Sequence, residues 1–467
     1  MTAAADIRAN FGRNLTRLMH WAADANRGVL PAPVRRRAAL VLADDLAAIV
    51  LASREPEVSK TIDQFARTSF APEATVFKRN AARVDRFSAA ASNGMAITWC
   101  ELDEGFRKAP SHGGAYALPA IMAEAEHRDV TLSDLANALA ISYEIAGRVS
   151  LAFKFDVMTV HPHAALATVG AAAGAALIRK ANAEVLQAAV TNACAMTFAG
   201  PFNHAVEGAL VRNAWTSAGA WIGMRSVDWA EAGISGLAQT PYDVFTTVFG
   251  AQCHADALVT DLGEDWAIAN GYHKMFACCQ YAHSAVEANL ELVSRLDGAK
   301  LTLGEIAEIT VETHKLGMNL TNVEPATTLA AKFSLPHAMA ATSVMRTGGF
   351  DAFTRATLEQ PEIAALRRRV TLKQHPAVQP WPKDRPARVT WLFTNGESWQ
   401  AECDSAKGGA DNPYGEDAIF GKLDKAMAAD FPAMAPYLKA LISAADADFR
   451  TPLRVAVSQM LEQTKNV

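Results

Sequence analysis

Apolar side chains recur at i, i+3, i+4 and i+7 through the first half of the chain. The stretches 34–53 (VRRRAALVLADDLAAIVLAS), 131–153 (TLSDLANALAISYEIAGRVSLAF) and 183–200 (AEVLQAAVTNACAMTFAG) all carry this spacing, which gathers the apolar positions on one stripe of a helix. From Asp6 to about Gly250 the pattern predicts helix after helix, with start signals such as Thr131-Leu132-Ser133-Asp134. The run from Ala164 to Ile178 is apolar on every side. At about 15 residues before Arg179 and Lys180 it is shorter than the roughly 20 needed to cross a bilayer, so it reads as a buried helix. Faces this rich in Ala and Gly let helix axes approach closely, and no βαβ alternation interrupts them; one large all-helical core is expected.

Past about residue 270 the period changes to two. IAEITVETH (306–314), RRVTLKQH (368–375) and ARVTWLF (387–393) alternate β-branched and polar residues and predict strands. Asn395-Gly396, between ARVTWLF and ESWQAEC, predicts a two-residue hairpin turn. Helical segments at about 279–296 and 327–347 interleave with the strands, and the tail past Asn412-Pro413 turns helical again. The expected architecture is mainly α: a large all-helical domain over 1–270, to which 405–467 returns, and a smaller α+β lid domain over 271–404.

Composition narrows the function classes. A chain of 467 residues, 50% hydrophobic and 20% charged, builds large buried cores, and disordered or low-complexity scaffolds are excluded. A net charge of -5 without a basic stripe argues against nucleic acid as a partner. The six cysteines (Cys100, Cys194, Cys253, Cys278, Cys279, Cys403) form no CxxC pair, which suits reduced thiols in a cytoplasm. The N-terminal stretch mixes acidic and basic residues without an apolar run and reads as a helix, with neither signal peptide nor membrane anchor expected.

No GxGxxG after a strand, GxxxxGK[ST], HExxH or GxSxG occurs in the chain, so no cofactor is expected and the chemistry falls to the chain's own acids and bases. Four clusters join titratable residues to turn-forming Gly and Pro. They are Cys100-Glu101-Leu102-Asp103-Glu104 with Ser111-His112-Gly113-Gly114; His161-Pro162-His163; Glu207 to Arg212; and His273-Lys274 through Cys278-Cys279 to His283. Proline favours the first helical position, so His161 falls at the N-cap, where the helix dipole disfavours imidazolium. It is then either a base or only a cap. His161 and His163 lack a nearby third ligand, and no metal is expected. The acidic run reads equally as a solvated loop, and Arg212 and Lys274 as surface cations.

In order, NGMAITWCELDEGFRKAPSHGGAYALPAIMAEAE, VHPHAALATVGAAAGAALI, EGALVRNAWTSAGAWIG, HKMFACCQYAHSAVEA and AKFSLPHAMAA resemble successive segments of the MmgE/PrpD family. The resemblance implies a large helical domain, an α+β lid, a homodimer, no cofactor and an active site in the cleft between domains. Asp103, His112, His161, Arg212 and Lys274 match the family's active-site Asp, His, His, Lys and Lys. Cys279 and His283 stand where relatives carry a histidine or a Cys/His pair, and His337 where a Tyr is common. The acidic run Leu102-Asp103-Glu104-Gly105 departs from the pattern of the dehydratases and decarboxylases, as do Arg212 for Lys and Trp215 for His.

Arginine clamps a carboxylate but carries protons poorly. The departures therefore favour a cofactor-independent epimerase of a small dicarboxylate, iminodisuccinate-like, over the alternative of a lyase on a polycarboxylate, methylcitrate dehydratase-like or cis-aconitate decarboxylase-like. In this expectation His161 is one base, with Asp103, His112, Lys274 or Tyr143 as the other. Arg212 clamps the substrate beside Cys279, His283 and His337.

Overall fold

A computed structural model describes residues 3–444 and 448–462. The fold is mainly α, with a smaller α+β part. The three helices expected from the apolar stripe span Ala32–Ala52, Leu132–Ala152 and Ala183–Ala195, the last capped by Met196, short of the expected 200. Thr131 and Asp134 form a reciprocal capping box at the head of the second, satisfying backbone donors that the first turn leaves orphaned.

At the centre lies the Pro162–Ile178 helix, buried from His163 to Ile178. It packs against the Gly113–Arg128 and Val211–Glu231 helices. A Cβ at Gly223 would stand 2.5 Å from the Ala171 Cβ and 2.7 Å from the Ala172 nitrogen, so these two axes meet at a distance that only glycine permits. This is the close approach expected of Ala- and Gly-rich faces. Among the described residues no helix is long and apolar enough to cross a membrane.

The strands fall where alternation placed them, at Ile306–Thr313, Val370–Gln374, Ala387–Phe393 and Ser398–Cys403. Ile306–Thr313 pairs parallel with Val370–Gln374 and antiparallel with Ala387–Phe393, which pairs antiparallel with Ser398–Cys403. The hairpin turn is longer than the two residues expected. The Phe393 nitrogen donates to Glu397 O at 2.9 Å, the Gly396 nitrogen to Phe393 O at 3.0 Å, and Gly396 takes φ +86. That is a three-residue loop whose last position is left-handed. The expected 327–347 helix is two helices, Thr328–Lys332 and Leu335–Met345, because the Ser334 side chain caps the second by accepting from the His337 nitrogen. In the tail, the Glu416–Met427 and Met434–Ile442 helices pack on Ala32–Ala52.

Candidate active site

A small cavity of about 60 Å³ lies where the 101–112 loop, the start of the Pro162–Ile178 helix, the start of the Val211–Glu231 helix and the 272–281 segment converge. His112, His161, Arg212, Lys274 and Cys279 line it, together with Glu101. Asp103 stands directly behind, with Oδ2 2.6 Å from His112 Nδ1. The sequence-derived candidates thus converge, except for three. His283 turns its Nε2 to Cys278 O at 3.1 Å and packs its ring on Phe276. His337 is buried against Phe353 and Arg367, with Nδ1 3.2 Å from the guanidinium. Tyr143 lies under the loop: its hydroxyl donates to Glu104 Oε2 at 2.6 Å, and its ring occupies the space a Cβ on Gly113 would need. None of the three lines the cavity.

Two histidines have close partners on their ring nitrogens. His112 Nδ1 donates to Glu104 O at 2.7 Å, with the Asp103 carboxylate beside it, so Nδ1 carries a proton and Nε2 is the nitrogen left facing the cavity. His161 is the N-cap foreseen by Pro162: its Nδ1 accepts from the His163 nitrogen at 3.1 Å. Burial first, and Arg212 second, push its pKa well below the usual histidine value. Arg212 Nε donates toward His161 Nε2 at 3.4 Å, and because a neutral imidazole has one acceptor nitrogen, this contact competes with the one from the His163 nitrogen.

Glu101 organises the cations and was not singled out from the sequence. Its carboxylate takes an ion pair from Arg212 Nη2 on one oxygen and from Lys274 Nζ at 3.3 Å on the other. Burial opposes its charge, but Arg212 and Lys274 outweigh burial and hold its pKa at about 2. Lys274 Nζ also lies 3.6 Å from Asp103 Oδ1. Burial works against that ammonium too, yet Asp103 and Glu101 raise its pKa above the ordinary lysine value. Cys279, whose thiol burial pushes up to about 12, stays protonated and is no nucleophile.

A cation from the tail sets the segment positions. Lys422 Nζ, on the Glu416–Met427 helix, donates to Leu102 O at 2.6 Å and Lys274 O at 3.0 Å, and pairs with Asp44 at 2.6 Å. Lys422 thereby ties the Asp103 loop to the Lys274 segment. Asp103, His112 and His163 each present a ligand atom within 4.8 Å of the others. A metal ion bound there would sit beside the Lys274 ammonium, which opposes a second cation.

The mainly helical scaffold thus buries two carboxylates against an arginine, a lysine and two histidines. The N-terminal domain of the MmgE/PrpD family matches residues 16–252 and its C-terminal domain residues 276–436, and the chain belongs to this family. A cis-aconitate decarboxylase of Aspergillus terreus is 26% identical over 403 residues, 79% of this chain and 80% of the relative. A cis-aconitate decarboxylase-like protein, oryM, of Aspergillus oryzae is 27% identical over 306 residues, 61% of this chain and 62% of the relative.

Proposed function

We propose that the chain is a lyase acting on a small polycarboxylate, in which His112 moves a proton at a carbon next to a carboxylate. The observation that carries this is the Asp103–His112 pair. With Nδ1–H given to Glu104 O and the Asp103 carboxylate lying against the same nitrogen, Nε2 is the free nitrogen of a ring that lines the cavity, the arrangement of a general base backed by a neighbouring carboxylate. Arg212 and Lys274 take the carboxylates and the enediolate charge, and His161, at a helix N-terminus, accepts from Arg212 Nε and helps hold the guanidinium at the cavity. The base therefore moves from His161, the leading sequence expectation, to His112.

The epimerase expectation needs two groups that exchange one proton in both directions. Lys274, held protonated between Asp103 and Glu101, is a poor partner for that exchange, and the relatives named above are a cis-aconitate decarboxylase and a cis-aconitate decarboxylase-like protein. The test is proton NMR of a panel of di- and tricarboxylates in D2O, cis-aconitate included. Net consumption with a new alkene or released CO2 supports the lyase. Deuterium entry with inversion and no net loss of substrate establishes the epimerase instead.

A further inference from the structure

A larger cavity of about 460 Å³ adjoins the small one, the two sharing Pro110, Pro162, Tyr281 and Arg385 as lining. The larger cavity is walled by Phe153, Val160 and Leu166 from the helical side, Phe245 behind them, and Leu316 across from the sheet-bearing side. Leu316 and Met158, both on its wall, are only half-buried. Apolar surface left facing a groove costs about 25 cal/mol per Å² relative to covering it, so a channel of this make-up beside a cationic site suits a ligand with one charged end and one greasy end. At the neck, the Arg385 guanidinium lies 5.0 Å over the Tyr281 ring. Its Nε is buried without a hydrogen bond, 3.4 Å from Asp384 Oδ2.

The central cavity alone, at about 60 Å³, accommodates roughly four to six water molecules at 10–15 Å³ each. A substrate with more than a few heavy atoms needs further room, and the adjoining cavity past Arg385 offers it. From this we infer that the substrate is a polycarboxylate bearing an apolar side arm, seated with its carboxylates between Arg212 and Arg385 and its arm in the channel. The inference rests on the carboxylate reading of the central site. A cavity of this size, apolar with few polar groups, is within the usual range for small-ligand sites. Lys108, Lys154 and Asp156 stand at its rim, where a flexible arm would reach water.

The test is calorimetric titration of the full chain with 2-alkylsuccinates from methyl to octyl. Affinity is expected to rise roughly two- to fourfold per added methylene, the transfer free energy of a CH₂ leaving water, until the channel is full. Leu316→Asp should flatten that dependence, and Met158→Asp, from the opposite wall, should do the same if the first variant fails to fold. Equal affinity across the series, or affinity falling from the first added methylene while 2-methylsuccinate still binds, overturns the side-arm inference and leaves the central site standing. Failure of every member, 2-methylsuccinate included, overturns both.

Discussion

Replacing Asp103 by asparagine keeps the volume of a fully buried side chain and removes its charge. Where a carboxylate alone holds a catalytic imidazole, this exchange costs about 10⁴ in kcat, because the ring adopts the wrong tautomer. Here Glu104 O, 2.7 Å from the same Nδ1, still accepts that proton, so the tautomer survives. What is lost is the attraction between the carboxylate and the imidazolium formed during proton removal. For unit charges roughly 4 Å apart at an effective dielectric near 20, that attraction is at most about 4 kcal/mol. Lys274, 3.6 Å from the same carboxylate, already draws on part of it. A remaining loss of about 2–4 kcal/mol corresponds to a 30- to 1,000-fold fall in kcat, with KM little changed. The assay is turnover of whichever panel substrate the chain consumes, with nitrogen NMR of His112 reporting the tautomer and a thermal melt reporting folding. A fall of 10⁴ with the proton moved to Nε2 refutes the role given to Glu104 O. A fall of less than tenfold in a folded variant refutes the dyad.

Replacing the two histidines in turn separates base from binding group: His112→Gln should lower solvent-proton exchange at least 100-fold, whereas His161→Gln, which alters the contact to Arg212 Nε, should mainly weaken binding, and the reverse ranking by NMR restores His161 as base. Arg212→Lys loses the planar guanidinium that reaches Glu101, Thr98 O and Asn213 Oδ1 at once and should weaken carboxylate binding by about 1–3 kcal/mol in calorimetry; unchanged affinity argues against a clamp. Gly114→Ala places a Cβ 2.4 Å from Asp45 Oδ2 and 2.7 Å from Val41 Cγ1, so it should lower stability by about 1–3 kcal/mol, and an unchanged Tm contradicts the packing. Burial lowers the pKa of His273 to about 4 and of His283 to about 3; the unfolded chain takes up those protons below about 6.5 while the native state does not, so each group removes about 1.4 kcal/mol of stability per pH unit on acidification through that window, and a urea midpoint that stays flat from pH 7 to 5 rules this out.

Local periodicity made the fold legible. The Ala32–Ala52 and Leu132–Ala152 helices and the four strands each announce themselves within one window of sequence, and Thr131 and Asp134 mark a boundary by their own side-chain bonds. Where the pattern fell short, a single side chain decided: Ser334 broke a predicted helix by capping the next one. The site was legible by resemblance alone, since its members lie on segments that periodicity cannot bring together. Glu101 was passed over because a run such as Cys100-Glu101-Leu102-Asp103-Glu104 looks the same solvated or buried. Only the cations arriving from Arg212 and Lys274 distinguish the two cases. Tyr143 and His337 show the converse, side chains near a motif whose contacts turn them into supports.

Glu101 is also where the site departs from what folding alone would select. It takes φ +53, a left-handed conformation that costs a residue with a Cβ about 1–2 kcal/mol. It also brings a carboxylate out of water beside Asp103, which burial penalises further. Replacing such buried ion pairs by apolar residues is often neutral or stabilising in proteins that have no use for the charges. In the proposed lyase, Glu101 would hold Arg212 and Lys274 in place before any ligand arrives, so that the cations need no reorientation when negative charge develops, and preorganisation of this kind supplies much of the rate enhancement in many acid–base enzymes. The same carboxylate makes the resting cluster of Glu101, Asp103, Arg212 and Lys274 close to neutral. An incoming carboxylate must therefore share its cations with Glu101, and a ligand with a single carboxylate gains little from that exchange. A second anchor is needed to make binding favourable, and Arg385 at the neck of the channel, whose buried Nε makes no hydrogen bond, is the group placed to provide it.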